Sequence, residues 1–386
     1  MKLLVTGSNG FIGKNLIATL DNIASGKDSS FHMEEKIIIY RYSHDEDKSL
    51  LGAYCKNADF VFHLAGVNRP DNNEDYKEGN LDFTVSLIKE LEKYNNSCPI
   101  LFASSIQAEK DNPYGRSKYS AEQRLQIHAK KMDSMVFIYR LPNVFGKWCK
   151  PNYNSVVTTF CYNIARNIPI QLNDPETILD LVYIDDVIEE MIRALMYPVD
   201  SAQLYYDIPT KYHVSLHEIA SLLRGFYDGR KTQYIADIKP NSFAKKLYST
   251  YLSYLPADDF GQYAKMNIDE RGSFTELFKT INHGQISVNI SKPGITKGEH
   301  WHHTKNEKFV VVSGTGLIQL RKYDTQDIIE YSASGEKIQI IDIPTGYTHN
   351  IINTGSTDLV TVMWCNECFD PQKPDTYYLR VNEKEE

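Results

Sequence analysis

The first thirteen residues constrain this chain most. Lys2-Leu-Leu-Val-Thr6 is a short apolar run, and Gly7-Ser-Asn-Gly10-Phe11-Ile12-Gly13 follows at once. A strand that runs straight into a glycine-rich turn and then into a helical pattern (Leu16, Ile17, Leu20) predicts the opening of a dinucleotide-binding βαβ unit. Glycines at 7, 10 and 13 let the backbone turn sharply, let a pyrophosphate approach the amides, and let the helix lie close to the strand. The free N–H groups and dipole at the helix N-terminus hold the anion. Gly7, Gly10, Phe11, Ile12 and Gly13 are therefore candidate cofactor contacts. The spacing is G-x-x-G-x-x-G rather than G-x-G-x-x-G, so an ordinary glycine turn is the competing reading. The flanking strand and helix supply the context that favours the dinucleotide.

The next segments extend the unit. Lys36 to Tyr40 reads as a second buried strand, ending at Arg41. An acidic residue there accepts the ribose hydroxyls of NAD, whereas a guanidinium favours the 2′-phosphate of NADP. NADPH is thus the expected cofactor, against a solvated strand-end arginine. Ala58 to His63 reads as a third strand, followed by Leu64-Ala65-Gly66, where the chain passes close under the cofactor. Asp75 to Tyr94 reads as a helix and Pro99 to Ala103 as a strand, with Ser104-Ser105 at its carboxyl end, where open parallel sheets bind ligands. Tyr114 and Lys118 open a further helix behind Pro113 and, four residues apart, share a face. The lysine charge is expected to lower the phenol pKa. The phenol then gives a proton to a carbonyl oxygen as hydride reaches the carbon, with Ser105 holding that oxygen. The competing reading is a surface Tyr–Lys pair.

Composition excludes several classes of function. With 386 residues, two or three domains are expected. A net charge of −8 argues against a sequence-independent grip on nucleic acid. No apolar run reaches membrane-spanning length, and the start is broken too soon by Gly7 for a signal peptide. The six cysteines, at 55, 98, 149, 161, 365 and 368, show no disulfide framework, so reduced thiols in a cytoplasmic protein are expected. Cys365 and Cys368 form a lone C-x-x-C that reads as strand-end thiols rather than a redox or metal pair.

The N-terminal half resembles the extended short-chain dehydrogenase/reductase family. The resemblance rests on TGSNGFIG at 6–13, ADFVFHLAG at 58–66, FASSIQ at 102–107, PYGRSK at 113–118, RLPNVFG at 140–146 and LVYIDDV at 181–187, and covers roughly residues 1–240. It implies a Rossmann-type parallel sheet, Ser105, Tyr114 and Lys118 as the catalytic set, and a nucleotide-sugar substrate near Asn143 and Asn154. One departure is Leu179, which stands where many relatives carry an arginine.

Ser215 and Glu218 form a capping box ahead of a helix to Tyr227, and residues 241–254 read as helical. The domains are expected at 1–250 and 251–386. Beyond Met266 the texture changes to short alternating strands with turns at Pro293-Gly294, Ser313-Gly314, Ser334-Gly335 and Pro344-Thr-Gly346, which predicts an all-β sandwich or barrel. The tail 383–386 is expected to fray. On a strand, His300 and His302 share one face. Glu307 and His349 reach them from neighbouring strands, and three imidazoles with a carboxylate suit Zn, Mn, Fe or Ni. His303 points to the opposite face.

Residues 265–380 resemble the cupin superfamily: the first motif, G-x5-HxH-x4-E-x6-G, fits throughout, and the second, ending P-x-G-x2-H-x3-N, is longer than usual between Gly335 and Pro344. Residues 266–276 are similar to the D-x-R-G-x-F-x-E segment of nucleotide-sugar 3,5-epimerases, which implies substrate roles for Arg271 and Glu276. Nearly the whole chain resembles the bifunctional capsular-polysaccharide enzymes of the UDP-N-acetyl-L-fucosamine pathway, through GKWCKPNYNSV at 146–156, YSTYLSYLP at 248–256, HWHHTKNEKF at 300–309 and MWCNECFDP at 363–371. That resemblance implies zinc in the cupin, a homodimer, and a UDP-linked 4-keto-6-deoxy amino sugar as substrate. The cupin would invert carbon 3 of UDP-2-acetamido-2,6-dideoxy-L-arabino-4-hexulose, and the reductase would make the L-talose product. Two rival readings are a reductase fused to a metal-dependent cupin oxygenase, separated by oxygen uptake, and a non-catalytic NADP-sensing fusion, opposed by an intact Ser105–Tyr114–Lys118 set.

Overall fold

The computed structural model describes residues 1–31, 36–70, 72–197, 203–236 and 238–382; the tail 383–386 and the end of the polar loop after Ala24 lie outside the described residues. The chain divides into two compact units, Met1–Leu223 with Pro240–Pro256, and Arg224–Lys239 with Ala257–Glu386. It passes between them more than once, and residues 250 and 251 lie within one helix, Phe243–Leu252.

The described strands of the first unit are β1 (Lys2–Thr6), β2 (Ile38–Tyr42), β3 (Phe60–His63), β4 (Ile100–Ser105), β5 (Val136–Leu141), β6 (Asn143–Phe145), β7 (Ile178–Tyr183), β8 (Tyr205–Tyr206) and β9 (Tyr212–Ser215). Six of them form a parallel sheet of order β2-β1-β3-β4-β5-β8, and β6-β7-β9 form a smaller sheet. The central strands are apolar on both faces because helices cover both. Leu3 and Val5 bury against Leu16 and Leu20 of the helix Phe11–Ala24 and against Val187 and Met191 of Ile184–Met196. Leu4 and Val61, pointing the other way, bury with Leu51, Leu87, Leu91 and Leu125 of three other helices.

Two local expectations need correction. β2 is not fully buried and runs two residues later than expected, to Tyr42; it is the sheet's edge, and Ile38 is 44% exposed. Arg41 therefore lies inside the strand rather than at its end. The helix expected over 75–94 is interrupted: Glu74–Tyr76 and Phe83–Lys93 are α-helical, but Lys77–Asp82 winds as a π-turn that turns Asn80 inward. Such turns occur often at functional sites. The helix after Ser215 runs on to Thr232, and Ser215 caps it by accepting from the Glu218 amide at 3.1 Å.

The second unit is built from β10 (Met266–Asp269), β11 (Gly272–Thr280), β12 (Gly284–Ser291), β13 (Thr296–Trp301), β14 (Glu307–Ser313), β15 (Thr315–Lys322), β16 (Ile328–Ser334), β17 (Ile340–Ile343), β18 (Tyr347–Asn353), β19 (Leu359–Cys365) and β20 (Tyr377–Tyr378). They form two antiparallel sheets of a cupin-type barrel, β10-β11-β12-β19-β14-β17 and β16-β15-β18-β13-β20. Phe309, Val311, Ile318, Leu320, Ile341 and Ile351 make its apolar core. Toward β12 the buried face turns polar, carrying Gln285, Ser287, Asn289 and Ser291, while the buried Ser273 and Thr275 of β11 pair with Ile290 and Val288 on the opposite face. Residues of opposite parity on β12 are apolar, and Ile286 among them is 37% exposed. Among the described residues no helix is long and apolar enough to cross a membrane.

Candidate active site and metal centre

The glycine turn closes against the end of β3. Gly7 has φ +70°, and a Cβ there would come within 2.6 Å of the Ala65 amide nitrogen. A Cβ on Gly13 would come within 2.2 Å of the Gly7 carbonyl oxygen. Side chains are thus excluded where helix, turn and Leu64-Ala65 meet. The helix Phe11–Ala24 starts at Gly10 with no side-chain cap, so its first amides stay available to an anion. These features fit a dinucleotide diphosphate.

Beneath this turn lies a polar chain the sequence did not announce. Thr6 Oγ1 is 2.8 Å from His63 Nδ1, and His63 Nε2 is 2.8 Å from Thr84 Oγ1, which donates to the Asn80 carbonyl at 2.6 Å. The Asn80 side chain accepts from the Val67 amide at 2.9 Å and donates to Ser117 Oγ at 2.9 Å. Burial, helped by the Lys118 charge, pushes His63 down to about 3, so it stays neutral and holds geometry.

Ser105, at the end of β4, and Tyr114, at the start of the helix Pro113–Met132, bring their hydroxyls together. Burial raises the Tyr114 pKa, with the Ser105 hydroxyl acting the other way, so the expected lowering by lysine is corrected. Lys118 Nζ donates instead to the Ala103 carbonyl at 3.0 Å, and burial pushes its pKa down to about 8. A phenol that keeps its proton at neutral pH still suits an acid that delivers one to a ketone. Further along this helix Glu122, fully buried, accepts from Ser104 Oγ at 2.5 Å and pairs with Arg140 at 2.6 Å. The signal was a Tyr114–Lys118–Glu122 column at four-residue spacing.

Arg41 Nη2 donates to both carboxylate oxygens of Asp21, each at 2.8 Å. Asn9 Nδ2 donates to the buried Ser43 at 3.0 Å, just past the end of β2. Asn143 begins β6 and donates to the Asp180 carbonyl at 3.3 Å. Asn154 is exposed in the turn before the Ser155 cap of the helix Val156–Ala165. The neighbouring Tyr153 bonds to the Asn68 carbonyl, and the Tyr76 ring sits 5.7 Å from that of Tyr114. A hollow of about 860 Å³ against Tyr139 and Glu190 contains none of the candidate residues in its wall.

In the barrel, His300, His302, Glu307 and His349 converge, one potential ligand atom of each lying within 4.8 Å of the others. His300 and His349 are paired across β13 and β18, beside a bulge at Glu299. His302 lies just beyond β13, and the exposed His303 turns away against Trp301 and Tyr377. Glu307 Oε2 is 3.1 Å from His349 Nε2 and 3.5 Å from His302 Nε2. These three atoms are buried without a hydrogen-bond partner, each offering a lone pair to the same space, which is what a cation needs. Burial raises the Glu307 carboxyl, but the neighbouring His302 and His349 imidazoles outweigh this and hold it well below the usual carboxylate range. Burial, then the neighbouring His349 and His302, push His300 down to about 4.

A cavity of about 640 Å³ opens beside His300, with Arg271, Ser273, Asn289 and Lys297 in its wall. Arg271 is held by Asp269 at 2.6 Å, while Glu276 pairs with Lys279 at 2.6 Å and is not part of that wall. Sequence reading missed Lys297, which donates to Asn289 Oδ1 at 2.9 Å and to the Ile290 carbonyl at 2.8 Å. Cys365 is buried opposite Glu307 on β19, and Cys368 is half-buried near the Thr280 carbonyl. Among the described residues neither thiol joins a metal cluster.

A parallel sheet with a glycine turn after its first strand and a Ser–Tyr–Lys set beside its carboxyl ends defines a Rossmann-type, nicotinamide-dependent class. Residues 3–206 match the model of the NAD dependent epimerase/dehydratase family, and the chain belongs to that family. Residues 267–377 match a polysaccharide biosynthesis C-terminal domain. Over 385 residues, 99% of this chain and 100% of the relative, the sequence is 41% identical to a UDP-2-acetamido-2,6-beta-L-arabino-hexul-4-ose reductase of Pseudomonas aeruginosa. The crystal structure of the capsular polysaccharide assembling protein CapF from Staphylococcus aureus is 48% identical, with a TM-score of 0.90 over 98% of this chain and 100% of that one. A UDP-glucose 4-epimerase structure from Thermotoga maritima, at 20% identity and TM-score 0.53 over 66% of this chain and 98% of that one, shares the fold alone.

Proposed function

We propose that this chain is a bifunctional nucleotide-sugar enzyme of surface-polysaccharide synthesis. On this reading one UDP-linked 4-keto-6-deoxy amino sugar is epimerised at carbon 3 in the barrel and then reduced at carbon 4 in the Rossmann domain. The carrying observation is that one chain holds a Ser105–Tyr114–Lys118 set and a His₃Glu set beside a polar cavity, and that a ketone suits both. The ketone acidifies the hydrogen on carbon 3; its removal from one face and return to the other inverts that centre. The relative's name, a reductase of a UDP-linked arabino-hexulose, supports the substrate class.

Gly7, Gly10, Phe11, Ile12, Gly13, Leu64, Ala65 and Gly66 would hold NADPH, which supplies the hydride when bound, and Arg41 would turn from Asp21 to its 2′-phosphate. Ser105 holds the ketone oxygen and Tyr114 protonates it, while the Lys118 ammonium lends positive charge from behind. Asn143 and Asn154 are the proposed sugar contacts here, and Arg271 and Glu276 those of the barrel domain. His300, His302, Glu307 and His349 would hold a divalent metal, best Zn²⁺, which supplies Lewis acidity at a substrate oxygen.

A homodimer is part of the reading. Val288, Val362, Val310 and Ile340 make an apolar row across the outer face of the six-stranded sheet, and Ile340 is 64% exposed. The deciding experiment offers the protein NADPH and a UDP-4-keto-6-deoxy-HexNAc in deuterium oxide. Deuterium at carbon 3 and NADPH consumption are both expected; absence of both refutes the function.

A further inference from the structure

The segment that closes the chain grips both sides of the His300-Trp-His302 run. Ahead of it, the Glu299 carbonyl accepts from the Leu379 amide at 2.9 Å, and Glu299 Oε2 accepts from the Val381 amide at 2.6 Å. Behind it, the Asp375 carboxylate accepts from the amides of His303, Thr304 and Lys305 at 3.0, 2.9 and 3.1 Å, and from Thr304 Oγ1 at 3.0 Å. The carbonyl oxygen of the same residue takes the Nδ1–H of His302 at 2.5 Å. Lys305 Nζ adds a bond to the Pro374 carbonyl. Glu299 and Asp375 both have left-handed backbones, φ +60° and +42°, which non-glycine residues hold only where surrounding contacts impose it.

These contacts do more than close a turn. An imidazole that donates from Nδ1 presents its lone pair at Nε2, and in His302 that atom faces Glu307. Three consecutive amides bound to one carboxylate fix the loop that carries the chain from His302 to Glu307. We propose that Asp375 is a positioning residue of the His300–His302–Glu307–His349 site, its carboxylate fixing the loop between two ligands and thereby seating its own carbonyl against His302 Nδ1. The proposal rests on reading that cluster as a divalent-metal site.

The test uses the full chain as wild type, D375N and D375A, each stripped with a chelator. Each is titrated with Zn²⁺ against a chromophoric competitor, and again with Co²⁺ to read the ligand-field absorption. D375A is expected to bind Zn²⁺ about ten- to a hundredfold more weakly, with D375N between it and wild type and a shifted Co²⁺ band in both. Metal-free D375A is expected to melt near metal-free wild type but to gain less on adding Zn²⁺; a residue that only supports the fold would lower both melting points equally. Affinity and Co²⁺ spectrum unchanged in D375A would overturn the proposal while leaving the metal reading intact. Should wild type bind neither ion, the metal reading itself fails. If D375A does not fold, D375N decides by the same measurements.

Discussion

Lys118 Nζ is bonded to the Ala103 carbonyl at 3.0 Å, one strand residue before the Ser104-Ser105 pair, and not to the Tyr114 phenol it was expected to activate. The ammonium is buried against that carbonyl and the Phe102 ring.

This placement predicts a pH limb. Burial lowers the Lys118 pKa to about 8, so the ammonium is present below that pH and lost above it. If its charge assists reduction, kcat falls as pH rises through about 8. Lys118→Met should lose that limb and lower kcat by about 10²- to 10⁴-fold. Stability moves oppositely: the folded pKa lies below the unfolded value of 10.5, so the unfolded chain binds more protons between them and the fold gains stability as pH rises from about 8 to 10.5. A pH–rate profile of both proteins checks this, and a limb that persists in Lys118→Met removes the assignment.

Arg41 tests the nicotinamide choice. Its guanidinium is committed to Asp21 at 2.8 Å and must be shared to meet a 2′-phosphate. Arg41→Ala should raise the KM for NADPH about tenfold or more, the scale of one charge-assisted bond, and leave NADH nearly unchanged. Asp21→Asn should lower the KM for NADPH. Equal changes with both cofactors would show that the arginine only ties the edge strand to its helix.

Close approach at the glycine turn predicts opposite outcomes for two alanine substitutions. A Cβ at Gly13 meets the Gly7 backbone at 2.2 Å, whereas one at Gly225, within the helix Leu216–Thr232, meets nothing within 4 Å. Gly13→Ala should destabilise by about 1–3 kcal/mol and weaken cofactor binding. Gly225→Ala should stabilise by about 0.5–1 kcal/mol through helix propensity. Thermal melts and cofactor titration separate the two.

What the sequence could show was set by range. The strand–turn–helix at 2–24 and the G-x5-HxH-x4-E spacing are local patterns, and the chain folds them locally. Arg41 was misplaced because apolar runs locate strands only to within a residue or two, and an edge strand shows less of its pattern. The π-turn at 77–82 breaks a 3.6-residue period that its residues otherwise keep. Asn80, Lys297 and Asp375 were invisible for another reason: each acts through partners that only tertiary folding supplies, 37 residues away for Asn80–Ser117 and 73 for His302–Asp375. The Tyr114 pKa was misjudged because spacing reports a neighbouring charge but not burial, which here dominates.

The barrel cluster predicts a metal-dependent melt. His302 Nε2, Glu307 Oε2 and His349 Nε2 face one another without partners, so removing a cation leaves lone pairs opposed. Chelation should lower the melting temperature of wild type and release about one metal per chain, as expected for a single closed site. His302→Ala and Glu307→Gln should purify without metal and ignore the chelator. Full occupancy in His302→Ala by elemental analysis would remove that residue from the ligand set.

If the two halves of the chain act in sequence on one ketone, their variants must separate. Tyr114→Phe removes the proton donor while keeping the ring beside Tyr76, so NADPH oxidation should drop by at least about 10²-fold. Carbon-3 exchange with deuterium oxide needs no hydride and should continue at the wild-type rate. His302→Ala should show the converse on the initial ketone, losing exchange, while a 4-keto substrate supplied with carbon 3 already inverted is still reduced by NADPH. Loss of exchange in Tyr114→Phe would place both steps in the Rossmann unit and leave the barrel without the isomerase role; undiminished reduction in the same variant would remove Tyr114 as the acid.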